Sequence, residues 1–110
     1  MFFFGKKHPH QLTVLPHPAL CPEGEIVPAI PGRSVAEILL QNRVEIDHSC
    51  QLQCACTTCH VHIMEGAQHL SPMEADERRM LDKVPGRDGF SRLACQAVFQ
   101  GGGNVVVEIP

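Results

Sequence analysis

The chain has 110 residues, 44% of them apolar, and its twelve acidic and nine basic side chains leave a net charge of −3. This length indicates one domain, and the apolar fraction excludes a disordered chain. The small acidic surplus argues against nucleic acid as a partner, and no apolar stretch approaches the roughly 20 residues that span a bilayer.

The N-terminal stretch "MFFFGKKHPHQ" has the wrong charge order and too short an apolar run for a secretory signal, so we expect a soluble, cytoplasmic protein. Residues 1–10 offer little to pack, which predicts a flexible leader followed by one domain over residues 11–110. Alternating apolar side chains predict strands at Gln11–Leu15 and Glu25–Ile30. Because Pro28 has no backbone donor, the second strand is expected at a sheet edge, or Pro28 at a strand end.

Two serine–glutamate pairs predict the starts of two helices. Ser34-Val-Ala-Glu37 and Ser71-Pro-Met-Glu74 have the spacing of a capping box, in which the serine hydroxyl and the glutamate carboxylate each accept a free backbone N–H. The first helix should end near Asn42, and the second, with Pro72 at its first position, near Lys83.

The remaining elements are a loop and three strands. The loop runs over residues 47–59, and Val61–Met64 alternates like a half-buried strand. Ser91–Phe99 and Asn104–Ile109 also alternate, with Gln100–Gly103 predicted as a hairpin turn between them. Short strands interrupted by helices indicate an α+β domain with one sheet and packed helices.

The cysteine spacing points to metal or redox chemistry. The six cysteines are Cys21, Cys50, Cys54, Cys56, Cys59 and Cys95. Three of them follow the pattern Cys50-x5-Cys56-x2-Cys59, and Cys95 comes after a gap of 35 residues. Four thiolates suit either a tetrahedral zinc ion or an iron–sulfur cluster. Zinc sites usually combine two short pairs, and only one short pair is present here.

The residues alone leave three classes of protein open. An iron–sulfur protein fits the slack of the x5 gap, whereas a structural zinc module accounts for four thiolates but not for that gap. A thiol–disulfide oxidoreductase would use "CTTC" (Cys56–Cys59), but such motifs usually open a helix, and this one precedes a predicted strand.

Longer motifs carry a resemblance to a known family. The segments "HSCQLQCACTTCHV", "MLDK", "SRLACQ" and the closing "VVVEIP" resemble vertebrate-type (adrenodoxin-like) [2Fe–2S] ferredoxins. "LPHPALCPEG" is similar to the bacterial branch whose genes lie beside those for iron–sulfur cluster assembly. The resemblance covers residues 11–110.

This resemblance implies a β-grasp fold with a mixed sheet, packed helices and a cluster-binding loop. It implies one [2Fe–2S] cluster, with Cys50 and Cys56 on one iron and Cys59 and Cys95 on the other. The protein would be a monomeric one-electron carrier, not an enzyme. It would take electrons from an NAD(P)H-dependent flavoprotein reductase and pass them to the iron–sulfur assembly machinery. Electron donation to a cytochrome P450 or another oxygenase is the alternative.

Other cysteines and histidines receive simpler roles. Cys21 and Cys54 are expected to pack as small side chains rather than to bind metal. His60 is expected to hydrogen-bond backbone and to tie the cysteine loop to the C-terminal strands. His48 and His62 are expected at the surface.

The second helix offers a candidate docking face. The resemblance implies that acids on this helix dock onto basic partners, and the acids present are Glu74, Asp76, Glu77 and Asp82. Arg78, Arg79 and Lys83 dilute this face, so that four acids against three bases leave −1 over residues 74–83. Ordinary helix-surface pairing explains these charges equally well.

Overall fold

The computed structural model describes residues 10–44, 60–84 and 88–110. In these segments the elements are β1 (Gln11–Val14), β2 (Glu25–Pro28), α1 (Val35–Gln41), β3 (His60–Glu65), α2 (Ala75–Leu81), β4 (Ser91–Leu93) and β5 (Val105–Glu108). A 3₁₀ turn at Ala67–His69 precedes α2 and was not expected from the sequence. Most of the predicted leader lies outside the described residues, as do His48, Cys50, Cys54, Cys56 and Cys59.

The strands form one mixed sheet in the order β2-β1-β5-β3-β4. β1 and β5 run parallel, with Leu12 opposite Val105, and the other neighbours pair antiparallel. β2 lies at the edge of the sheet, where its Pro28 removes no bond from a second neighbour. The predicted α+β sheet and the edge position of β2 are both confirmed.

One face of the sheet packs against α1 to form the core. Strand periodicity places alternate side chains on this face, and helical spacing does the same on α1. The contributing side chains are almost completely buried: Leu12, Val14, Val61, Ile63, Val105 and Val107 from the sheet, and Val35, Ile38 and Leu39 from α1. None of the helices in the described segments has both the length and the hydrophobicity to span a bilayer.

The first capping box is confirmed. Glu37 N donates to Ser34 Oγ at 3.1 Å, and Ser34 N donates to Glu37 Oε1 at 2.8 Å. At the other end Asn42 is the C-cap, and its side-chain amide donates to the carbonyl of Ile38 at 2.7 Å. Sequence and structure therefore agree on both ends of α1.

The prediction of a second capping box, at Ser71 and Glu74, is wrong. α2 begins at Ala75, with Glu74 as an N-cap that makes no side-chain capping bond. Ser71 Oγ instead donates to the carbonyl of Gln96 at 3.3 Å and accepts the N–H of Val98 at 3.0 Å. The hydroxyl thus satisfies backbone groups of a distant segment, and the helix starts four residues beyond Ser71.

The predicted C-terminal hairpin is also wrong. β4 ends at Leu93, and Val98 and Phe99 make only isolated bridges, to Ser34 and Leu70. β5 inserts between β1 and β3 rather than pairing with β4. The turn at Gln100–Gly103 exists, but it carries the chain from those bridges to the centre of the sheet.

Candidate metal centre

Cys95 lies in the turn that follows β4. The N–H groups of Gln96 and Ala97 both donate to the carbonyl of Leu93, at 2.9 and 3.1 Å, which closes the turn. The Cys95 residue is only 7% exposed, and the side-chain amide of Gln96 lies 3.7 Å from its sulfur. The turn therefore presents a buried sulfur with an N–H donor beside it.

The N-terminus of α1 holds this turn from the other side. The N–H of Val35 donates to the carbonyl of Ala97 at 2.8 Å, and that of Ala36 donates to the carbonyl of Ala94 at 2.9 Å. These donors have no partner within a helix, so the turn satisfies groups that would otherwise need water. The capping box and the Cys95 turn consequently form one rigid unit.

The β3–β4 pairing places the first residue of β3 near this unit. His60, the first residue of β3, lies opposite Leu93 in antiparallel register. Cys59 directly precedes His60 in the chain, and Cys95 follows Leu93 by two residues. The described backbone thus brings the chain ends that lead to these two cysteines to the same end of the strand pair.

His60 ties β3 to β4 through its ring. The side chain is buried, and its Nε2 lies 2.7 Å from Ser91 Oγ. Burial lowers the pKa of His60, the neighbouring His62 lowers this pKa further, and Asp88 acts in the opposite direction. The predicted tie to the C-terminal strands is present, but it uses a serine hydroxyl rather than backbone.

His62 is not the surface residue that the sequence suggested. Its side chain is only 16% exposed, with Nδ1 3.3 Å from Glu108 Oε1 and Nε2 3.9 Å from Asp88 Oδ2. The ring also meets that of His60 edge to face, with 4.8 Å between the centroids. The histidine occupies a polar niche between β5 and the turn that precedes β4.

A buried ion pair anchors α2 to β4. Arg92 donates from Nε to Glu77 Oε2 at 2.6 Å and from Nη2 to Glu77 Oε1 at 3.0 Å. Leu93 N donates to Glu77 Oε2 at 2.9 Å, and Arg92 Nη1 donates to the carbonyl of Ser71 at 2.8 Å. Glu77 is 2% exposed, so it is unavailable to a docking partner.

This pair could have been found in the sequence. Glu77 precedes the buried Leu81 by four residues, so both lie on the inner face of α2. An acid at such a position requires a buried cation. Arg92, at the centre of β4 between the buried residues Ser91 and Leu93, is the matching residue.

Cys21 lies far along the chain from the cysteine loop and packs in the core. It is 4% exposed, and its sulfur lies 3.7 Å from the carbonyl of Leu15. The packing role predicted for Cys21 is confirmed, while the corresponding prediction for Cys54 falls outside the described residues.

Comparison with known proteins identifies the family. A family profile described as "2Fe-2S iron-sulfur cluster binding domain" matches residues 19–100. The "2Fe-2S ferredoxin" of Pseudomonas aeruginosa is 46% identical over 100 residues, covering 91% of this chain and 88% of that protein. The chain belongs to the [2Fe–2S] ferredoxins. The "2Fe-2S ferredoxin" of Escherichia coli K12 is 42% identical, covering 91% of this chain and 89% of its own.

A solved ferredoxin structure agrees with this assignment. The crystal structure of the ISC-like [2Fe–2S] ferredoxin of Pseudomonas putida matches with a TM-score of 0.85 and 37% identity, over 91% of both chains. The fold is therefore the ferredoxin β-grasp expected from the motifs. As a ferredoxin, the protein carries one [2Fe–2S] cluster and transfers electrons; it is not an enzyme.

The described residues fit this cofactor. A cluster of this kind is ligated by cysteine thiolates, and hydrogen bonds to the sulfurs tune its potential. Cys95 provides a buried sulfur, with the Gln96 amide placed to donate to it. The cluster supplies one-electron redox chemistry, and this chain orients Cys95 and shields its sulfur from water.

Proposed function

We propose that Cys50, Cys56, Cys59 and Cys95 hold the cluster, with Cys50 and Cys56 on one iron and Cys59 and Cys95 on the other. The observation that carries this proposal is the register of β3 and β4. His60 pairs with Leu93, so the chain enters β3 from Cys59 at the end of the strand pair where the Cys95 turn lies. This proximity supports Cys59 and Cys95 as ligands of one iron.

The ligand set is tested by single cysteine-to-serine substitutions. Replacing Cys50, Cys56, Cys59 or Cys95 should abolish or alter the visible absorption of the purified protein, because serine is a poor ligand for this soft site. Cys21→Ser and Cys54→Ser are matched controls that should retain the wild-type spectrum. Loss of the cluster in Cys54→Ser, or its retention unchanged in Cys95→Ser, would overturn the assignment.

Metal content separates this proposal from a zinc module. The protein should be red-brown, contain iron and acid-labile sulfide in equal amounts, and bleach with dithionite. A colourless protein with stoichiometric zinc and no sulfide would contradict it.

The electron path is proposed to run from an NAD(P)H-dependent flavoprotein reductase, through this ferredoxin, to the iron–sulfur cluster assembly machinery. The likeness to an ISC-like ferredoxin supports this acceptor. The experiment is reconstitution with NAD(P)H and a flavoprotein ferredoxin reductase, with cysteine desulfurase and scaffold proteins as one acceptor and a cytochrome P450 as the other. Cluster formation on the scaffold that requires this ferredoxin is expected, whereas turnover with the P450 alone would favour the oxygenase role.

A further inference from the structure

His62 has one ring nitrogen that the structure leaves without a hydrogen bond. Nδ1 lies 3.3 Å from Glu108 Oε1, which suits an N–H that donates to the carboxylate. Nε2 is buried and makes no hydrogen bond to any residue in the described segments. A carboxylate oxygen, Asp88 Oδ2, lies 3.9 Å from it.

The protonation state of this nitrogen determines whether the niche is favourable. With the proton on Nδ1, a neutral His62 directs the lone pair of Nε2 towards a carboxylate, and a buried acceptor without a donor is costly. A proton on Nε2 would convert the same contact into a charge-assisted hydrogen bond to Asp88. The niche is therefore built to take up a second proton.

The groups that face His62 agree with this reading. Asp88 from the turn before β4 and Glu108 from β5 are about half exposed, at 50% and 46%, so both carboxylates connect the niche to solvent. His60 is the other titratable group in contact, and its Nε2 already pairs with Ser91 Oγ.

His62 is also close to the cluster along the chain. It follows Cys59 by three residues, which limits the distance between their Cα atoms to about 11 Å. We propose that His62 is a redox-linked proton-binding site, which gains a proton at Nε2 when the ferredoxin is reduced and loses it on oxidation. The proposal rests on the ligand role of Cys59 stated above.

The step balances as one electron and one proton. The reductase supplies the electron, which adds one negative charge to the site. A proton from solvent, passing by Asp88 or Glu108, forms the Nε2–H bond. Oxidation by the acceptor reverses both changes, so the electron carrier is also a proton carrier.

The expected coupling follows from Coulomb's law. With about 11 Å taken as the separation of the charges and an effective dielectric constant of about 20, one added charge raises proton affinity about tenfold. For a one-electron couple, a tenfold change corresponds to about 59 mV. The midpoint potential should therefore fall, by about 59 mV in total, as pH rises across the range in which Nε2 is protonated in the reduced protein only.

The test is the midpoint potential of the intact ferredoxin from pH 5 to 9, measured by spectroelectrochemical titration. The variant is His62→Gln, and the matched control is His69→Gln, in the 3₁₀ turn, where the ring packs against Gly103. The midpoint potential of wild type and of His69→Gln should fall with pH over the same range, and that of His62→Gln should not change with pH. Asp88→Asn should move the pH-dependent range to lower pH, because it removes the negative charge that favours a proton on Nε2.

Two results would overturn the proposal: a wild-type potential that does not change over this range, or a pH dependence that survives in His62→Gln. Neither result would change the assignment of the cysteine ligands, because that assignment is tested separately by the visible spectrum and the iron content of each variant. A His62→Gln protein with a normal spectrum and a flat potential supports the proposal. A protein that loses its spectrum on Cys59→Ser but keeps it on His62→Gln confirms that the two residues have different roles.

Discussion

At the scale of single residues, the most consequential charge in α2 points inward. Glu77 accepts three N–H donors, two from Arg92 and one from the backbone of Leu93, and is almost completely buried. Removing one partner of such a pair leaves an uncompensated buried charge. Glu77 therefore stabilises the strand that leads to Cys95 and takes no part in surface recognition.

We predict that Glu77→Ala lowers stability by about 3–5 kcal/mol, the usual cost of breaking a buried ion pair. The measurement is urea unfolding of the holoprotein, followed by far-UV circular dichroism and by loss of visible absorbance. Asp76→Ala is the matched control, because Asp76 pairs with Arg79 at the exposed surface of the same helix and should cost less than about 1 kcal/mol. Equal effects of the two substitutions would contradict the role given to Glu77.

At the scale of elements, two identical sequence patterns have different outcomes. Ser34 and Ser71 both precede a glutamate by three residues, and only Ser34 caps a helix. Local sequence determines the first case, because both partners lie within one turn. The second is decided by Gln96 and Val98, more than 20 residues away, whose backbone groups bond Ser71. Local patterns therefore predicted the elements well and their exact ends less well.

The capping box of α1 also supports the metal centre. We predict that Ser34→Ala costs about 1 kcal/mol, as typical for a lost N-cap, and that it accelerates cluster loss. The second effect is expected because the N–H groups of Val35 and Ala36 hold the turn that carries Cys95. The measurement is the rate of bleaching of visible absorbance in the presence of a chelator.

Ser34→Thr is the control for this experiment, since threonine keeps a capping hydroxyl. It should bleach at close to the wild-type rate. If alanine and threonine behaved alike, the coupling between the cap and the Cys95 turn would be disproved.

The exposed surface of α2 and its flanks has no net charge. With Glu77 buried, the exposed acids over residues 74–83 are Glu74, Asp76 and Asp82, and the exposed bases are Arg78, Arg79 and Lys83. Three negative and three positive charges cancel, so this face lacks the acidic surplus that would attract a basic partner over long range. The net charge of −1 counted from the sequence overstated the acidity of this face, because that count included the buried Glu77.

We predict that reduction by the proposed flavoprotein reductase depends weakly on ionic strength if docking uses this face. Replacing both Arg78 and Arg79 by glutamate changes each charge by two and takes the face from zero to −4. The double variant should bind a basic reductase more tightly at low salt and lose that gain as salt rises. The measurement is KM for the ferredoxin between 20 and 300 mM salt.

Arg33→Glu is the control for α2, because Arg33 is exposed beside the N-terminus of α1, and its charge change matches that of the single variant Arg78→Glu. A steep salt dependence in wild type, or an equal response of Arg33→Glu and the double variant, would place docking elsewhere.

At the scale of the whole molecule, the sequence predicted the family and the elements better than it predicted the order of the strands and the contacts between distant residues. The cysteine spacing and the longer motifs identified the family, because the number of cysteines and the gaps between them can be read from short stretches of the sequence. The order of the strands is not local: β5 lies beside β1, more than 90 residues away in sequence. The buried pair Glu77–Arg92 and the niche of His62 are likewise formed by residues from separate elements. They become visible only once the sheet and α2 are assembled.

This architecture predicts which parts of the molecule depend on the cluster. A small domain buries a limited fraction of its surface, and a tightly bound cofactor adds stability to the state that binds it. β1, β5 and β2 belong to the apolar core and make their contacts without the cysteine turn. The turn Ala94–Ala97 and the N-terminus of α1 hold each other beside Cys95, the proposed ligand. We therefore predict that removing the cluster increases amide hydrogen exchange at Val35, Ala36 and Ala97 much more than at Leu12 and Val107.

The measurement is hydrogen exchange of apoprotein and holoprotein by NMR or mass spectrometry, with Cys21→Ser holoprotein as the control for the loss of an unrelated thiol. Protection at Val35 and Ala36 should fall at least tenfold in the apoprotein, because their acceptors lie in the turn that carries the proposed ligand Cys95. Exchange at Leu12 and Val107 should change less, since both side chains remain in the sheet core. A uniform loss of protection would show that the cluster holds the entire domain together and that the sheet has no stability of its own.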